Sequence, residues 1–443
     1  MTSTHTQIQL MSIGERVSAL STLPQQPEEN WRRTDASQFF LPDGEVVNSF
    51  GQSVLGSHLA ASPYKINFKT VSSAEMNAAL CKLFGDKLAA EQNDSGDFLD
   101  VNRLVMLSLN NGSLAVVSCA EADSWVGRLE IASRPSRPDS ILRDSAISAA
   151  LTERLQVCAP SELVIRIPRF EHTPLLLIAI EHDSAFAQSY ANVTVDVAEG
   201  ASSELAVLHG SSEFAHHRLT LRLGQEACVK QFWGHLGYPS AAQGKMLLER
   251  KVKLSARAQF FDASVFVPAA TLRVISNITP EGEAAVAQCG TSIVACENAV
   301  IDYEPLQDHL APHAQSHLRA KVVAGQRGKA IFQGLINVER EAVQTNASQV
   351  NKNLILSKRA RVDSMPRLRI LPDEVACKHG SATGELDAKQ IHYLMTRGFS
   401  EHAAKELVVR GFVLEGLSQI PQESPLFVWA EALLNQGLNR VLK

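Results

Sequence analysis

Short segments in which apolar and polar residues alternate recur through the middle of this 443-residue chain, at a spacing of roughly 25 to 30 residues. One segment has valine at every second position from Val193 to Val197, and the next has leucine at every second position from Leu219 to Leu223. This alternation is typical of β-strands that bury one face. The chain is therefore predicted to be mainly β, with these valines and leucines facing inward.

Turns that contain an alanine follow several of these segments and lead into a second strand. Aligning the segments places the alanines at Ala201, Ala227, Ala258, Ala330 and Ala360. The long gap between Ala258 and Ala330 leaves room for two more turns, one of them at residues 282–284. Thin coils of this kind would bury their apolar side chains by stacking on one another. An antiparallel sandwich has the same short strands and turns, so the periodicity alone leaves both architectures open.

The pattern divides the chain into three regions. Residues 1–160 mix helical and strand-like segments, residues 161–372 form the β region, and residues 373–443 are helical. In the first region we predict a helix over residues 74–84 and a hairpin of two strands at residues 104–109 and 114–119. Residues 133–139 lack core-forming side chains and are predicted to be an exposed loop.

Capping residues delimit the helices of the last region. Asp387 is predicted to begin a helix that ends at Gly398, with Ile391, Leu394 and Met395 on its buried stripe. Ser400 begins a second helix, for which the sequence predicts an end at Gly411 and a buried face of Ala403, Ala404, Leu407 and Val408. A third amphipathic segment covers residues 425–442.

Composition restricts the partners of the chain. The formal net charge is −5, so no excess of basic residues is available to attract nucleic acid or an anionic membrane. The first residues carry no basic cluster or apolar run, and the longest apolar stretch is too short to cross a membrane. Seven cysteines without a C-x-x-C pair suit a reducing compartment. We therefore expect a cytoplasmic protein that binds no nucleic acid and no membrane.

Motifs for nucleotide binding and hydrolysis do not occur in the sequence. The nearest string to a phosphate-binding loop, GQRGK at residues 325–329, has the wrong spacing and lies between two predicted strands. The strings G-x-G-x-x-G, H-E-x-x-H and G-x-S-x-G are also missing. The chain is expected not to hydrolyse ATP by itself, so a nucleotide-driven step would require a partner.

Two groups of histidines are candidate metal ligands. His309, His313 and His317 have the spacing of one helix face, but Pro312 disfavours a helix and places the group in a turn between strands. The neighbours at 216 and 217, both histidine, would point to opposite faces of a strand. Surface positions or packing between coils are the favoured interpretations for these histidines, and a metal role is the weaker one.

A thiol and an imidazole lie two residues apart in Cys377-Lys378-His379, where the β region gives way to the helices. Residues at this spacing share one side of an extended segment. Thiolate suits iron and iron–sulfur clusters, and imidazole can replace thiolate on iron. Lys378 between them would favour the thiolate form of Cys377. Cys377 and His379 are therefore candidate metal ligands, although a Cys-x-His string with a structural role looks the same.

Many ordered strings around this site match one known family. The dense part of the match comprises GKAIFQGLINV (328–338), QTNA (344–347), NKNLILS (351–357), ARVD (360–363), PRLRI (366–370), DEVACKHG (373–380) and YLMTRG (393–398). ENWRRTD (29–35) and PLLLI (174–178) add sparser matches. In these strings the chain resembles the SufB/SufD family of iron–sulfur cluster assembly scaffolds, and its SufD branch more than its SufB branch.

The resemblance implies a right-handed parallel β-helix core, flanked by a mixed or helical N-terminal region and a helical C-terminal region. It implies a scaffold without catalytic activity of its own that pairs with a SufB-type subunit, binds a SufC-type ATPase through its C-terminal helices and holds a transient iron–sulfur cluster at a subunit interface. A homodimer is the expectation for the isolated chain. The family's cluster-assembly histidine corresponds to His379, and Lys378 stands where serine is common.

Two other functions compete with this interpretation. A SufB-like subunit would carry the main acceptor cysteine, and the CKHG string at residues 377–380 disfavours it. A β-helix enzyme that acts on carbohydrates would need clustered carboxylates along one face. The acidic residues of this chain are scattered, and an aromatic content of 6% offers few surfaces on which sugars stack.

Overall fold

Two parallel β-sheets, joined coil by coil, make up most of the fold. The computed structural model describes residues 65–84, 104–110, 113–119, 128–136, 161–173, 175–180, 188–210, 213–235, 244–268 and 270–443, with a few single residues between 122 and 159. The string at residues 29–35 lies outside these ranges. The two sheets continue past residues 160 and 372, through β4 before the first position and β22 after the second. The division of the chain into three regions at these positions stays a prediction.

Sheet 1 runs in spatial order through β1 (Lys65–Thr70), β3 (Ser113–Ser118), β2 (Val105–Asn110), β6 (Leu176–Ile180), β8 (Ser202–His209), β10 (Cys228–His235), β12 (Gln259–Phe266), β14 (Val286–Ala295), β16 (Gln315–Ala324), β19 (Asn346–Ile355) and β22 (Ala376–Glu385). Sheet 2 contains β4 (Glu130–Pro135), β5 (Ser161–Ile167), β7 (Gln188–Val197), β9 (Phe214–Leu223), β11 (Lys245–Leu254), β13 (Thr271–Pro280), β15 (Val300–His309), β17 (Lys329–Phe332), β18 (Leu335–Val338), β20 (Arg361–Ser364) and β21 (Arg367–Ile370).

The register of these strands decides between the two architectures that the periodicity left open. From β5 and β6 onward, successive strands of each sheet pair in parallel and in continuous register. The strands β7, β9, β11 and β13 therefore lie one above another. Antiparallel pairing occurs between β2 and β3 and between β4 and β5. A sandwich would alternate strand direction throughout, so the fold is a parallel β-solenoid and the sandwich alternative is wrong.

The corners between β-strands explain the repeat of alanines. Where sheet 2 leads into sheet 1, seven of the described corners have one residue with positive φ, at positions 26 to 31 residues apart: Phe170, Gly200, Glu226, Arg257, Ala284, His313 and Gln344. Most of them are not glycine, and such a conformation is strained for them. The strain is offset because each corner bonds to the corner of the next coil, as Glu226 N does to Ala256 O at 3.0 Å. A small buried residue follows, Ala227 in that corner.

The alignment of alanines was right for three of its five members. Ala201, Ala227 and Ala258 occupy this edge, whereas Ala330 lies within β17 and Ala360 precedes β20 at the opposite edge. Turns of two kinds were therefore aligned as one. The two turns predicted inside the gap exist, because corners at Ala284 and His313 fill it.

Inward-facing side chains stack in rows along the solenoid. Register pairs place Ile165, Val195, Leu221, Val252 and Ile278 in one row of sheet 2, and all five belong to the main hydrophobic core. The predicted inward orientation of the valines at 193–197 and the leucines at 219–223 is confirmed. A fully buried aliphatic side chain contributes about 1.5–3 kcal/mol, so each row is a substantial source of stability.

The first described elements extend the same sheets. Helix α1 (Ser73–Phe84) begins with a capping box, in which Ser72 N donates to Glu75 Oε2 at 2.9 Å and Glu75 N donates to Ser72 Oγ at 3.3 Å. The predicted hairpin is confirmed as β2 and β3. The prediction of an exposed loop at residues 133–139 is wrong for its first three residues, because residues 133–135 belong to β4. The ion pair between Arg134 and Glu162, with Nε and Oε2 2.9 Å apart, ties this polar strand to β5.

The C-terminal region contains α2 (Ala388–Thr396), α3 (Glu401–Leu414), a 3₁₀ turn (Glu415–Leu417) and α4 (Pro425–Val441). The predicted caps are confirmed, because Asp387 accepts from Lys389 N and Ser400 from Ala403 N. The predicted end of α3 at Gly411 is wrong, because the helix continues to Leu414. The predicted buried face is only partly right, because the buried residues of α3 are Ala404, Val409 and Val413. Met395 and Leu407, which were placed on buried stripes, are exposed.

Helix α4 lies on the outer face of sheet 1. Its buried Trp429, Leu433 and Leu438 pack with the second hydrophobic core, and the helix contacts β8, β10, β12 and β14. Gly437 permits this approach, because a Cβ there would lie 2.8 Å from the Val267 side chain. Among the residues that the structure describes, no helix is both long and apolar enough to cross a membrane.

Candidate functional site

The candidate ligands Cys377 and His379 lie on β22, the last strand of sheet 1. The strand pairs with β19 on one side, and no described strand pairs with its other side. Cys377 is opposite Ala347 and His379 is opposite Gln349, both of which face the interior. The prediction that the thiol and the imidazole share one side of an extended segment is therefore confirmed.

His379 ends an interior row at the open end of the solenoid. The row passes from Cys289 through Leu318 and Gln349 to His379, and its first three members are buried. No further coil of the described part of the chain covers β22, so the imidazole is exposed although its direction is inward. An imidazole in this position can reach a ligand or a partner placed against the end of the solenoid.

Cys377 is half-buried beside a small apolar cluster that includes Ile336, Val338 and Ala347. Burial raises the pKa of the Cys377 thiol, and a hydrogen bond from the Ala347 backbone offsets this only in part. The thiol form is therefore favoured at neutral pH, and Cys377 is a weaker metal ligand than a free thiolate would be.

Lys378 does not have the role predicted for it. Alternation along β22 turns its side chain to the outer face, in register with Ser348 and on the side of His317. Lys378 lowers the pKa of His317, after the larger effect of burial. The pKa of the Cys377 thiol is raised rather than lowered, so the expectation that Lys378 favours the thiolate is wrong.

Both sheets end here with free edges. In sheet 2 the terminal strands β20 and β21 pair only inward, with β17 and β18. Leu368 and Ile370 of β21, and Leu371 directly after it, are 37–42% exposed. Unpaired strand edges with apolar side chains are templates for another chain.

Large apolar side chains are also exposed on the hairpin of α2 and α3. We call the exposed side chains Tyr393, Met395, Phe399 and Leu407 the hairpin patch; they are 43–57% exposed. Arg397 lies over the Tyr393 ring, 5.2 Å from its centroid. Helix α3 is anchored at its C-terminal end, since Ser292 of β14 donates to the Val413 carbonyl at 2.7 Å and Lys321 of β16 pairs with Glu415 of the following 3₁₀ turn.

The other candidate histidines do not join this site. His309 is buried at the end of β15, His313 is the exposed residue of a corner and His317 lies on the outer face, as expected for a turn between strands. His216 and His217 point to opposite faces, and both are buried between coils. Within the described ranges, no group of three or more His, Cys, Asp or Glu side chains is arranged to hold a metal ion.

Sequence reasoning missed the polar residues of the interior. Gln349, Asn351 and Asn353 follow one another at every second position of β19 and face inward below β22. Deeper in the solenoid, Arg250 is fully buried and binds both carboxylate oxygens of Asp262, at 2.6 and 3.1 Å. The spacing of the three amides at every second position was the sequence signal that could have revealed the polar interior near the open end.

Comparison with protein families adds a finding that covers half of the chain. Residues 178–412 match the family model described as "SUF system FeS cluster assembly, SufBD core domain". The chain is 28% identical to the iron–sulfur cluster assembly protein SufD of Escherichia coli K12, over 64% of this chain and 67% of that protein.

Two relatives from Bacillus subtilis match over a shorter length. The chain is 32% identical to the assembly protein SufD, over 26% of each chain. It is 30% identical to SufB, over 26% of this chain and 25% of that one. The chain thus spans about two thirds of the E. coli relative but only about a quarter of these two, and the short matches do not separate the two branches.

Proposed function

This chain belongs to the SufB/SufD family of the SUF iron–sulfur cluster assembly system and is SufD-like, and we propose that it acts there as a scaffold subunit rather than as an enzyme. In this proposal His379 is presented at a subunit interface, where a nascent cluster is built as cargo and then released. The scaffold works in the cytoplasm, a compartment that suits the free cysteines of its described part.

The position of His379 is the observation that carries the proposal. The imidazole is exposed on the last strand and directed along an interior row that no further coil covers. Iron–sulfur clusters usually take four protein ligands, and Cys377 and His379 supply at most two. The remaining ligands would come from a partner that covers the open end.

A SufB-type subunit is the partner we propose for this end. The free edges of β21 and β22 offer backbone hydrogen bonds, and Leu368, Ile370 and Leu371 offer apolar area beside them. Pairing through strand edges is a common mode of recognition. In the absence of that subunit the same surface would pair with a second copy, which gives the homodimer expected of the isolated chain.

A SufC-type ATPase is the second proposed partner, and the hairpin patch is its proposed binding surface. Four large apolar side chains are exposed on one short helical hairpin, and the hairpin is held by contacts of α3 with sheet 1. Such a patch resembles an interface more than ordinary surface. The sequence contains no phosphate-binding loop, so ATP hydrolysis would be supplied by this partner.

His379 and Cys377 differ in how well their side chains suit a site that binds and then releases a cluster. A neutral imidazole binds iron less tightly than thiolate, which suits a ligand that must also release its cargo. The raised pKa of Cys377 disfavours it as a reactive acceptor of sulfur. This also argues against the SufB-like alternative, in which a main acceptor cysteine would be expected.

Replacing His379 with alanine tests the proposal. The variant should fold and assemble normally, because the side chain is exposed, while cluster formation on the complex with SufB- and SufC-type subunits falls by about tenfold or more. The measurement is the yield of chemically reconstituted cluster per complex, followed by absorption spectroscopy. Cys377→Ala should have a milder effect.

The matched control is His313→Ala, because His313 is also exposed but lies in a corner away from β22. It should leave the cluster yield unchanged. If the His379→Ala complex assembles and matures clusters at the wild-type rate, the imidazole is structural and the site assignment fails.

Binding of the ATPase needs point variants rather than a truncation. A chain that stops after Gly384 would lose α4, whose removal exposes the core on sheet 1. Leu407→Asp instead places a charge in the hairpin patch at a residue that is 47% exposed, so folding should survive. We expect capture of the SufC-type subunit to weaken by about tenfold or more in pull-down titrations.

Phe68→Asp is the matched control, since Phe68 is 64% exposed on β1 at the other end of sheet 1. It should leave capture unchanged, and both variants should still pair with the SufB-type subunit. Undiminished capture by the Leu407→Asp chain would place the binding surface elsewhere.

A further inference from the structure

Hydrogen bonds inside the last coils fix the orientation of one buried amide. The side-chain nitrogen of Gln307, on β15, donates to the Ser316 carbonyl at 3.2 Å and to the Ser348 carbonyl at 3.3 Å. Carbonyl oxygens only accept hydrogen bonds, so the nitrogen of Gln307 must lie on this side. Its oxygen lies on the other side, where it accepts from Gln349 Nε2 at 3.2 Å.

The same logic fixes Gln349 on β19. Its nitrogen is committed to Gln307, so the remaining atom is the carbonyl oxygen Oε1. That oxygen is buried and has no hydrogen-bond partner in the described structure. Leaving a buried carbonyl unsatisfied destabilises the folded state, and such groups call for an explanation.

The backbone around this oxygen is shaped to hold it. Gly334, between β17 and β18, has the oxygen so close that a Cβ there would lie 2.0 Å from Gln349 Oε1. A residue larger than glycine would displace the side chain. Close packing against Gly334 therefore holds Gln349 Oε1 in this position.

One candidate donor at the open end is the residue next along the row. His379 is the register partner of Gln349 on the neighbouring strand, and both face inward. Neighbouring strands are about 4.8 Å apart, which is within the reach of an imidazole. Asn353 also has an unpartnered oxygen, but its register partner is Thr383, which lies four residues away from His379 along β22.

We propose that Gln349 is a positioning residue for His379. An imidazole that binds a metal through one nitrogen carries a proton on the other, and that N–H needs an acceptor. Gln349 Oε1 takes this N–H when the partner subunit covers the open end, which fixes the direction of the other nitrogen toward the cluster. The inference rests on the proposed function, in which His379 is a ligand.

A double-mutant cycle on the assembled complex tests it. Gln349→Met keeps the size of the side chain but removes the acceptor, and it should lower the yield of reconstituted cluster by about tenfold. In a His379→Ala background the same change should have no further effect. Gln349→Glu restores an acceptor and should recover most of the yield. A loss of equal size in both backgrounds, or a failure of Gln349→Glu to recover more than Gln349→Met, overturns the proposal.

A spectroscopic readout separates positioning from a merely structural role. With ¹⁵N-labelled histidine, pulsed EPR of the reduced cluster should show a nitrogen coupling in the wild type that is weaker or broader in Gln349→Met and normal in Gln349→Glu. Asn353→Leu is the matched control, because it alters the same face of the same strand in a different row, and it should leave yield and coupling unchanged.

The outcomes also distinguish this inference from the function on which it rests. If His379→Ala lowers cluster yield but Gln349→Met does not, only the positioning role is lost. If His379→Ala itself has no effect, the proposed function fails first.

Discussion

Replacing Leu221 with aspartate is expected to destabilise the protein by about 5 kcal/mol or more, enough to unfold most of it. Leu221 is fully buried in a row with Val195 and Val252 on the adjacent coils. The variant loses the transfer energy of the leucine, leaves a cavity and places a carboxyl group among aliphatic side chains. Urea denaturation followed by circular dichroism measures the free energy of unfolding.

Arg222→Asp is the matched control, because it changes the next residue on the same strand. Arg222 is on the outer face and half-exposed, and its guanidinium lies 3.0 Å from an Asp196 oxygen. An ion pair at such a position is worth about 0–1 kcal/mol, and the variant adds only a screened repulsion between carboxylates. Equal losses in the two variants would mean that the inside and outside of the coil are wrongly assigned.

Acidification from pH 7 to about pH 4 is expected to remove most of the folding free energy. Burial lowers the pKa of His209 to about 3 and those of His235 and His309 to about 4. In the unfolded chain these groups bind a proton near pH 6.5. Their contribution is therefore complete above pH 6.5 and declines as the pH falls toward the folded values. Together they represent on the order of 10 kcal/mol, comparable with the whole stability of a domain.

The geometry around His209 explains why it resists a proton. Trp233 Nε1 donates to His209 Nε2 at 2.7 Å, so this nitrogen must stay unprotonated for the bond to exist. The other nitrogen, Nδ1, lies 3.1 Å from His217 Nδ1. A charged His209 would lose the bond from the tryptophan and would be buried without a counter-ion among its described contacts.

A His209→Asn variant checks this assignment. Its free energy of unfolding should fall between pH 7 and pH 5 by about 2 kcal/mol less than that of the wild type, because one titrating group is gone. His313→Asn, at a solvent-facing corner, is the control for the substitution itself and should leave the free energy of unfolding at pH 7 unchanged. Identical pH profiles for the wild type and His209→Asn would show that this histidine does not govern acid stability.

Side-chain alternation allowed much of the solenoid to be predicted from local sequence. Whether a residue such as Leu221 faces in or out depends on its own strand, so period 2 was sufficient. Strand direction depends on which distant segments pair, and the pattern within one strand carries no information about that. The alanines at the corners were visible because each corner needs a small buried residue, but turns at the two edges look alike in sequence.

The candidate site was predictable in part for the same reason. The common side of Cys377 and His379 follows from their spacing in a strand. The outward direction of Lys378 follows equally, but its charge suggested an effect on the thiol that the pleat prevents. The role inferred for Gln349 could not be predicted, since it depends on hydrogen bonds with a residue 42 positions away. The extension of α3 past Gly411 reflects contacts with β14 and β16 that outweigh a weak helix former.

The packing of α4 across β8, β10, β12 and β14 bears on how the protein gains its stability during synthesis. A stack of coils with only nearest-neighbour contacts can fray from its ends, and each coil can form as soon as it leaves the ribosome. Helix α4 joins four coils at once but follows all of the described strands along the chain. The nascent solenoid would therefore remain only loosely cooperative until the last helix docks, and from then on these four coils should melt together rather than one by one.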